Sequence, residues 1–310
     1  MNHHRSLDAL HLENAWLTVG VFDGVHRGHQ ELLHRLVDGA HAAGGPAVVL
    51  TFYPHPAVVL GGREDFAYLS LPDEKAALLG GLGVDHVITI PFDRDLADQS
   101  AEEFMGQVSR RLGLRHLLIG HDFALGRGRE GNAARLAELG RSLGYAVEIY
   151  EPVWDGEKVI SSTSIRDQLR QGEVAEAATL LGRNYAISGP VVHGDGRGRH
   201  INVPTANIAY PPEKLIPAYG IYATWAWVAG ERLPAATNIG INPTFTPERQ
   251  SASLETHLLD FAGDLYGQEV RLEFVARLRG EQKFASVDAL LEQIRADISK
   301  TREILAGAQV

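Results

Sequence analysis

The sequence predicts an α/β protein in two parts: a parallel sheet with helices on its faces, then a β-rich half closed by a helix. Three observations predict it. Apolar runs alternate with helical patterns through the first half, and after Gly182 the pattern changes to short β-rich runs separated by glycine and proline turns. The length of 310 residues also lies near the size at which one core divides into two.

In the first half, the apolar run 16–22 precedes helical periodicity over 29–40, in which Leu32, Leu33, Leu36 and Val37 share a face, and a second run follows at 47–52. Further strand candidates lie at 84–90, 117–120 and 146–150, separated by helical stretches around 73–79, 101–112 and 132–143. Ser100-Ala101-Glu102-Glu103 has capping-box spacing and marks one helix start. Strand and helix in regular turn imply a mostly parallel sheet, and such sheets bind ligands outside the carboxyl ends of their strands.

Beyond Gly182, the runs 185–193, 222–228, 253–261 and 269–278 predict an antiparallel barrel or sandwich. Alternation within 222–228 separates the aromatics from the small residues, and we read Trp225 and Trp227 as core or domain-contact residues. Leu290, Leu291, Ile294 and Ile298 define a closing amphipathic helix. No low-complexity linker separates the halves, so a tight boundary is expected near 183–186, giving domains 1–184 and 185–310.

Composition narrows the chemistry. A formal net charge of -10 gives no reason to expect non-specific attraction to nucleic acid or membranes. The absence of cysteine excludes disulfides, thiolate metal sites and a cysteine nucleophile. Residues 1–12 are polar and lack an apolar signal core, and no later segment reaches membrane-spanning length, so a cytoplasmic protein is expected. A homo-oligomer is compatible with the sequence but not derivable from it.

Four polar segments fall where the pattern places strand ends or helix starts. The first, Phe22-Asp23-Gly24-Val25-His26-Arg27-Gly28-His29, sets two histidines around a glycine at a turn into a helix. Gly24 can take turn dihedrals, Gly28 permits close approach, and a phosphate could sit near unpaired helix amides with both imidazoles beside it. A turn histidine and a buried histidine without a ligand is the plainer account. The second, Pro54-His55-Pro56, is stiffened on both sides of His55, which a rigid structural loop explains as well as a ligand site does. The third, 120–132, combines His121, Asp122 and Phe123 with glycines and arginines that either wrap a phosphorylated ligand or form a solvated basic turn. The fourth, Ser161-Ser162-Thr163-Ser164-Ile165-Arg166-Asp167, pairs Ser164 and Asp167 in capping-box spacing and offers more hydroxyls than one cap needs, with Arg166 to neutralise phosphate charge.

With these segments assembled, the chain resembles the prokaryotic bifunctional riboflavin kinase and FAD synthetase family over nearly its full length. The resemblance rests on Gly20 to His29 as an H-x-G-H signature, Phe52-Tyr53-Pro54-His55-Pro56, Gly120-His121-Asp122-Phe123 and the hydroxyl run 160–166, in that order. It implies that the first module transfers AMP from ATP to FMN, making FAD and pyrophosphate. His26, His29, Ser161, Ser162, Thr163 and Arg166 would then hold the ATP phosphates, Asp122 and Phe123 would lie in the flavin-nucleotide pocket, and Phe22, Asp23, Gly24 and His55 would complete the site. The resemblance gives the second module as a six-stranded barrel that phosphorylates riboflavin.

In that module Pro204-Thr205-Ala206-Asn207, preceded by 194–199, is the key signature. Thr205 and Asn207, two apart on an extended segment, point the same way and can share a magnesium-nucleotide site. The resemblance makes Glu255 the base that takes the riboflavin 5′-hydroxyl proton, and Arg279 and the segment through Phe284 the flavin side. Asn238-Ile239-Gly240 and Pro243-Thr244-Phe245 match a further family run. Mg2+, ATP, riboflavin, FMN and FAD are the implied cofactor, co-substrate, substrates and products. Asn202-Val203 stands where the family usually has glycine-phenylalanine, and Leu125 where phenylalanine is frequent, which makes reduced kinase activity or altered affinity an expectation. Two other readings follow: an FAD synthetase with a weakened kinase module, and a non-catalytic flavin-binding regulatory protein.

Overall fold

The computed structural model describes residues 1–8, 10–63, 65–151, 153–155, 158–194, 203–241 and 252–308. The expectations for 195–199, Asn202 and Pro243-Thr244-Phe245 lie outside the described residues. By its contacts the chain forms two compact units, Met1–Ser162 and Thr163–Val310.

The first unit is built on a six-stranded sheet in the order β1 (Asn2–His4), β4 (His86–Pro91), β3 (Ala47–Tyr53), β2 (Trp16–Val19), β5 (His116–Gly120), β6 (Ala146–Tyr150). Every pairing is parallel. Such a sheet buries both faces, and β3 shows it residue by residue. Val48 and Leu50 join one core with Leu17, Val19, Leu117 and Ile119, while Ala47 and Val49 join the other with Val87 and Leu118. Helix α1 (Arg27–Ala42) buries Leu32, Leu33, Leu36 and Val37, the face expected from spacing, and Ala40 with them. The remaining helices are α2 (Pro56–Gly61), α3 (Pro72–Gly81), α4 (Arg94–Ala97), α5 (Ala101–Leu112) and α6 (Ala133–Leu143), and a short hairpin joins β7 (Trp154–Asp155) to β8 (Lys158–Val159). The capping box at α5 forms as expected, with Ser100 Oγ accepting from the Glu103 amide (3.2 Å) and Glu103 Oε2 accepting from the Ser100 amide (2.9 Å).

This order places the site. The chain winds from β2 through β3 to β4 in one direction, whereas β5 and β6 lie on the other side of β2. The sheet therefore reverses beside β2, and such a reversal opens a crevice at the carboxyl ends of the strands. The loops after β2, β3 and β5 share that edge because those strands are adjacent and parallel.

The second unit begins with α7 (Ser162–Gln171) and α8 (Val174–Leu181) and continues into a closed antiparallel barrel. Around the barrel the order is β10 (Ala206–Ile208), β13 (Ala252–Leu258), β12 (Glu231–Ile241), β11 (Gly220–Val228), β14 (Glu269–Arg279), β9 (Tyr185–Val192). Helix α9 (Val287–Gly307) packs against β11, β12 and β14. The grouping of α7 and α8 with the barrel has a local cause. Leu169 carbonyl accepts from the Ala218 amide (3.0 Å), Gln171 carbonyl accepts from Arg277 (3.2 Å), and α8 packs on β14 and β9.

Three local expectations change. Helix α7 starts at Ser162, so Ser164 lies inside its first turn rather than at the helix start that its spacing with Asp167 suggests. Strand β12 was not expected from the sequence, because Pro234 interrupts the run; it is tolerated since pairing with β13 begins only at Ala235. Trp225 and Trp227 point away from the barrel interior: Trp225 is half-buried and Trp227 is 36% exposed, with Arg232 stacked over Trp225 at 4.2 Å. The interior positions of β11 instead hold Tyr222, Thr224, Ala226 and Val228. The buried threonines form a ladder across three strands, Thr224 Oγ1 to Thr237 Oγ1 at 2.7 Å and Thr237 Oγ1 to Thr256 Oγ1 at 3.0 Å.

Candidate functional site

In the first unit the H-x-G-H turn is held in a conformation that few residues favour. Phe22 (φ 50°), Gly24 (φ 81°) and Val25 (φ 43°) are all left-handed, and the β-branched Val25 is a marked outlier. At the non-glycine residues Phe22 and Val25 this costs about 1–3 kcal/mol each and persists only where surrounding contacts determine it. Here the contacts are explicit. The Asp23 carboxylate, buried, accepts from the Leu69 amide (3.1 Å), the Ser70 amide (2.9 Å) and Ser70 Oγ (3.3 Å), and Ser70 Oγ accepts from the Gly24 amide (2.9 Å). Ser162 Oγ donates to the Asp23 carbonyl (2.9 Å), and Gln30 donates to the Val25 carbonyl (2.9 Å).

His26 is the N-cap of α1, and its Nδ1 accepts from the His29 amide at 3.4 Å. The two rings stack at 3.6 Å and 20°, and Phe22 meets His29 edge-on at 5.1 Å. A Cβ at Gly28 would come within 3.2 Å of the His26 ring, a tight contact that glycine avoids. His29 is half-buried as a residue, while its Nδ1 is buried without a hydrogen-bond partner. Burial, then neighbouring His26 and Lys75, hold its pKa well below the ordinary imidazole value. Its side chain is therefore neutral at physiological pH.

Other expected residues take different places. His55 caps α2: its Nδ1 accepts from the Ala57 amide (3.0 Å), its amide donates to Tyr68 Oη (2.8 Å), and its ring lies 4.3 Å from Phe66. Phe123 and Leu125 pack on the core face formed by Leu17 and Ile119, whereas Asp122 is exposed and its carbonyl accepts from Arg129 (2.9 Å). Thr163 and the buried Arg166 belong to α7 of the second unit. The sequence reading missed Lys75. It lies in α3, 2% exposed, and its Nζ donates to the Val21 carbonyl (2.7 Å) and Thr51 Oγ1 (3.3 Å). No local signal separates it from the ordinary surface lysine of a helix.

In the barrel, register builds the site. Asn207 of β10 lies directly opposite Glu255 of β13, Glu255 is opposite Asn238 of β12, and Asn238 is opposite Ile221 of β11, which pairs in turn with Arg279 of β14. Leu254, Thr256 and Leu258 are buried in the barrel, so the intervening Glu255 and His257 project outward. The Asn207 amide lies over Gly194, where any Cβ would overlap it. Between this outer face and α9 is a cavity of about 460 Å³ lined by Val203, Thr205, Asn238, Glu255, Arg279 and Phe284, among others. A second cavity, about 380 Å³, is lined by Pro204, Thr205, Phe261, Asp264 and Tyr266, so Thr205 borders both.

Arg279 is already engaged. It pairs with the buried Asp297 of α9 through Nε (3.1 Å to each oxygen) and a second nitrogen (2.7 Å), Gln293 donates to the same carboxylate (2.9 Å), and Phe284 lies 5.7 Å from the guanidinium. It fixes the helix to the barrel at the cavity wall. His257 Nδ1 donates to the Pro204 carbonyl (2.8 Å), tying the segment that carries Thr205 to β13.

Thr205 and Asn207 fit a magnesium ion by donor chemistry: both offer oxygens, which hard divalent cations prefer, and Mg2+ usually takes few protein ligands together with substrate phosphates. Among the described residues no cluster of three or more His, Cys, Asp or Glu is arranged to hold a metal by itself.

Comparison with known proteins covers both units. The FAD synthetase family model matches residues 8–164 and the riboflavin kinase family model matches 181–305. The bifunctional riboflavin kinase/FMN adenylyltransferase of Escherichia coli K12 is 39% identical over 293 residues, 94% of this chain and 93% of the relative. That of Bacillus subtilis is 36% identical over 284 residues, covering 91% and 89%. A Streptococcus pneumoniae crystal structure described as a macrolide-efflux protein superposes with a TM-score of 0.88 at 32% identity, covering 97% of this chain and 98% of that one. Among the described residues no helix is long and apolar enough to cross a membrane. With both family models matched and homology across nearly the whole length, the chain belongs to the bifunctional riboflavin kinase/FMN adenylyltransferase family.

Proposed function

We propose that this chain phosphorylates riboflavin to FMN at the barrel and transfers AMP from ATP to FMN at the first unit, releasing pyrophosphate. The observation that carries the kinase half is the pairing of Asn207 with Glu255 beside a cavity whose wall residue Thr205 also borders a second cavity. Phosphoryl transfer needs donor and acceptor in line across one reacting centre, and two cavities that share Thr205 as a lining residue support that reading. Glu255 takes the proton of the riboflavin 5′-hydroxyl as its oxygen bonds to the γ-phosphorus and the bond to the β-phosphate oxygen breaks, leaving ADP. Thr205 and Asn207 would hold Mg2+, which supplies charge neutralisation for the phosphates when bound.

At the first unit no side-chain nucleophile is needed, because the FMN phosphate itself attacks the α-phosphorus of ATP. His26, His29 and the N-terminal amides of α1 donate to the phosphates, and the chemistry is alignment of two anions with stabilisation of the leaving pyrophosphate. Ser161, Ser162, Thr163 and Arg166 are assigned to the same phosphates, Asp122, Phe123, Phe22, Asp23, Gly24 and His55 to the rest of that site, and Arg279 to the flavin side of the barrel cavity. Asp23 and His55 act there through the backbone they hold, given their hydrogen bonds. The modules are taken as 1–184 and 185–310, the partners as flavins and ATP, and the location as the cytoplasm.

The test incubates purified protein with riboflavin, Mg2+ and ATP and resolves FMN, FAD, ADP and pyrophosphate over time. FMN with ADP, followed by FAD with pyrophosphate, is expected. FAD made only from supplied FMN would reject the kinase half, and flavin binding without turnover would reject both.

A further inference from the structure

The H-x-G-H turn raises an electrostatic question: it is read as a site for polyanions, yet His29 is neutral at physiological pH. A buried positive charge is bonded to the residue that leads into it. Lys75 enters from α3, is almost fully buried, and places its ammonium 2.7 Å from the carbonyl of Val21, the residue that leads into the left-handed Phe22, Gly24 and Val25. Thr51 of β3 donates to the same carbonyl (3.0 Å) and accepts from Lys75 (3.3 Å), so two elements, α3 and β3, converge on one oxygen. A hydroxyl alone would satisfy that carbonyl. Burying an ammonium there instead is costly, which is a reason to look for a role beyond packing.

We propose that Lys75 is a positioning residue for adenylyl transfer, whose buried ammonium fixes the Val21 carbonyl and supplies positive charge at the base of the turn that carries His26 and His29. This rests on the adenylyl-transfer reading of the first unit. The charged and titratable groups that face Lys75 are Asp23 of the turn and His29 of α1, while Glu74, its neighbour on α3, is engaged with the Leu71 amide at the helix start. The Asp23 carboxylate accepts three hydrogen bonds from Leu69 and Ser70, so its charge is shared with that loop. Burial pushes the Lys75 ammonium down to about 8, with Asp23 opposing, so the charge is present at neutral pH and lost in mild alkali.

The experiment measures FAD formation from supplied FMN and FMN formation from riboflavin in the same preparations of wild type, Lys75→Met and Lys75→Gln, at pH 6.5 to 9.5. In both variants kcat for adenylyl transfer should fall on the order of 10- to 100-fold, with KM moving by no more than about threefold and riboflavin phosphorylation unchanged. The thermal midpoint of Lys75→Met should not fall, because an apolar chain of similar length replaces a buried charge. A purely structural lysine predicts the reverse, a lowered midpoint with activity lost in proportion. In wild type the ratio of adenylyl transfer to kinase rate should decline as pH rises through about 8, and the variants should lack that decline. Retention of adenylyl transfer within about twofold in Lys75→Met would overturn the proposal. So would a wild-type ratio that stays flat to pH 9.5, a measurement that stands even if the variants fail to fold. A wild type that makes no FAD from FMN would instead overturn the adenylyl-transfer reading, and this inference with it.

Discussion

The two candidate sites of this chain are made in opposite ways. The first lies on a loop at the carboxyl edge of a parallel sheet, with backbone at Phe22, Gly24 and Val25 that is held by Asp23, Ser70, Thr51 and Lys75. The barrel site lies on regular antiparallel strands, where Asn207, Glu255 and Asn238 line up through register alone, with α9 as a cover fastened by Arg279 and Asp297. A loop site depends on a supporting shell around unfavourable dihedrals, whereas a strand site inherits its precision from the ladder. Damage to the first should thus spread from its supports. Damage to the second should stay with the residue removed, unless the ladder itself is cut.

The sharpest separation comes from Glu255→Gln. It keeps the shape of the side chain and removes the base, so FMN formation should fall about 10²- to 10⁴-fold while FAD formation from supplied FMN is unchanged. Equal loss in both reactions from a folded variant would break the comparison. His29→Ala should show the reverse bias, with adenylyl transfer reduced on the order of 10- to 100-fold and the kinase spared, as read by separate product assays.

Asp297→Ala leaves the Arg279 guanidinium without its carboxylate and should cost about 3–5 kcal/mol of barrel stability in denaturant unfolding, the upper part of that range if the charge stays buried. A loss under about 1 kcal/mol would mean that α9 is held by its apolar contacts alone. Thr237→Val removes the middle of the threonine ladder. Thr224 keeps the Ala235 carbonyl as acceptor (3.1 Å), so the expected cost is about 1–2 kcal/mol, with kinase activity following stability.

The smallest effect is in pH. The folded-state pKa of His29 lies below its unfolded value near 6.5, so the unfolded chain binds more protons as pH falls through that value. Stability of the first unit should be fully present above about 6.5 and decline below it, and the slope should shrink in His29→Gln. An unchanged slope would show that His29 is not buried neutral in solution.

Much of this was legible before any coordinates. Alternating runs predicted the parallel sheet because a strand buried on both faces must be continuously apolar, as 47–50 is. Ser100 and Glu103 announced a helix start because a capping box is complete within four residues. Strand β12 was not legible, since its pattern is broken by Pro234 and its partners lie on two other strands. Nor was the outward direction of Trp225 and Trp227, because alternation separates two faces without saying which one is inside.

Taken alone, the sequence determined which segments could be strands and helices, and which clusters of histidine, hydroxyl and carboxylate lay at their ends, because those properties depend on residues within a turn or two. The tertiary structure decided that the two imidazoles stack on each other, that Asn207, Glu255 and Asn238 form one row, and that Lys75 brings its charge to the Val21 carbonyl. Those relations join residues tens of positions apart. They depend on sheet order, strand register and burial, which no local pattern encodes.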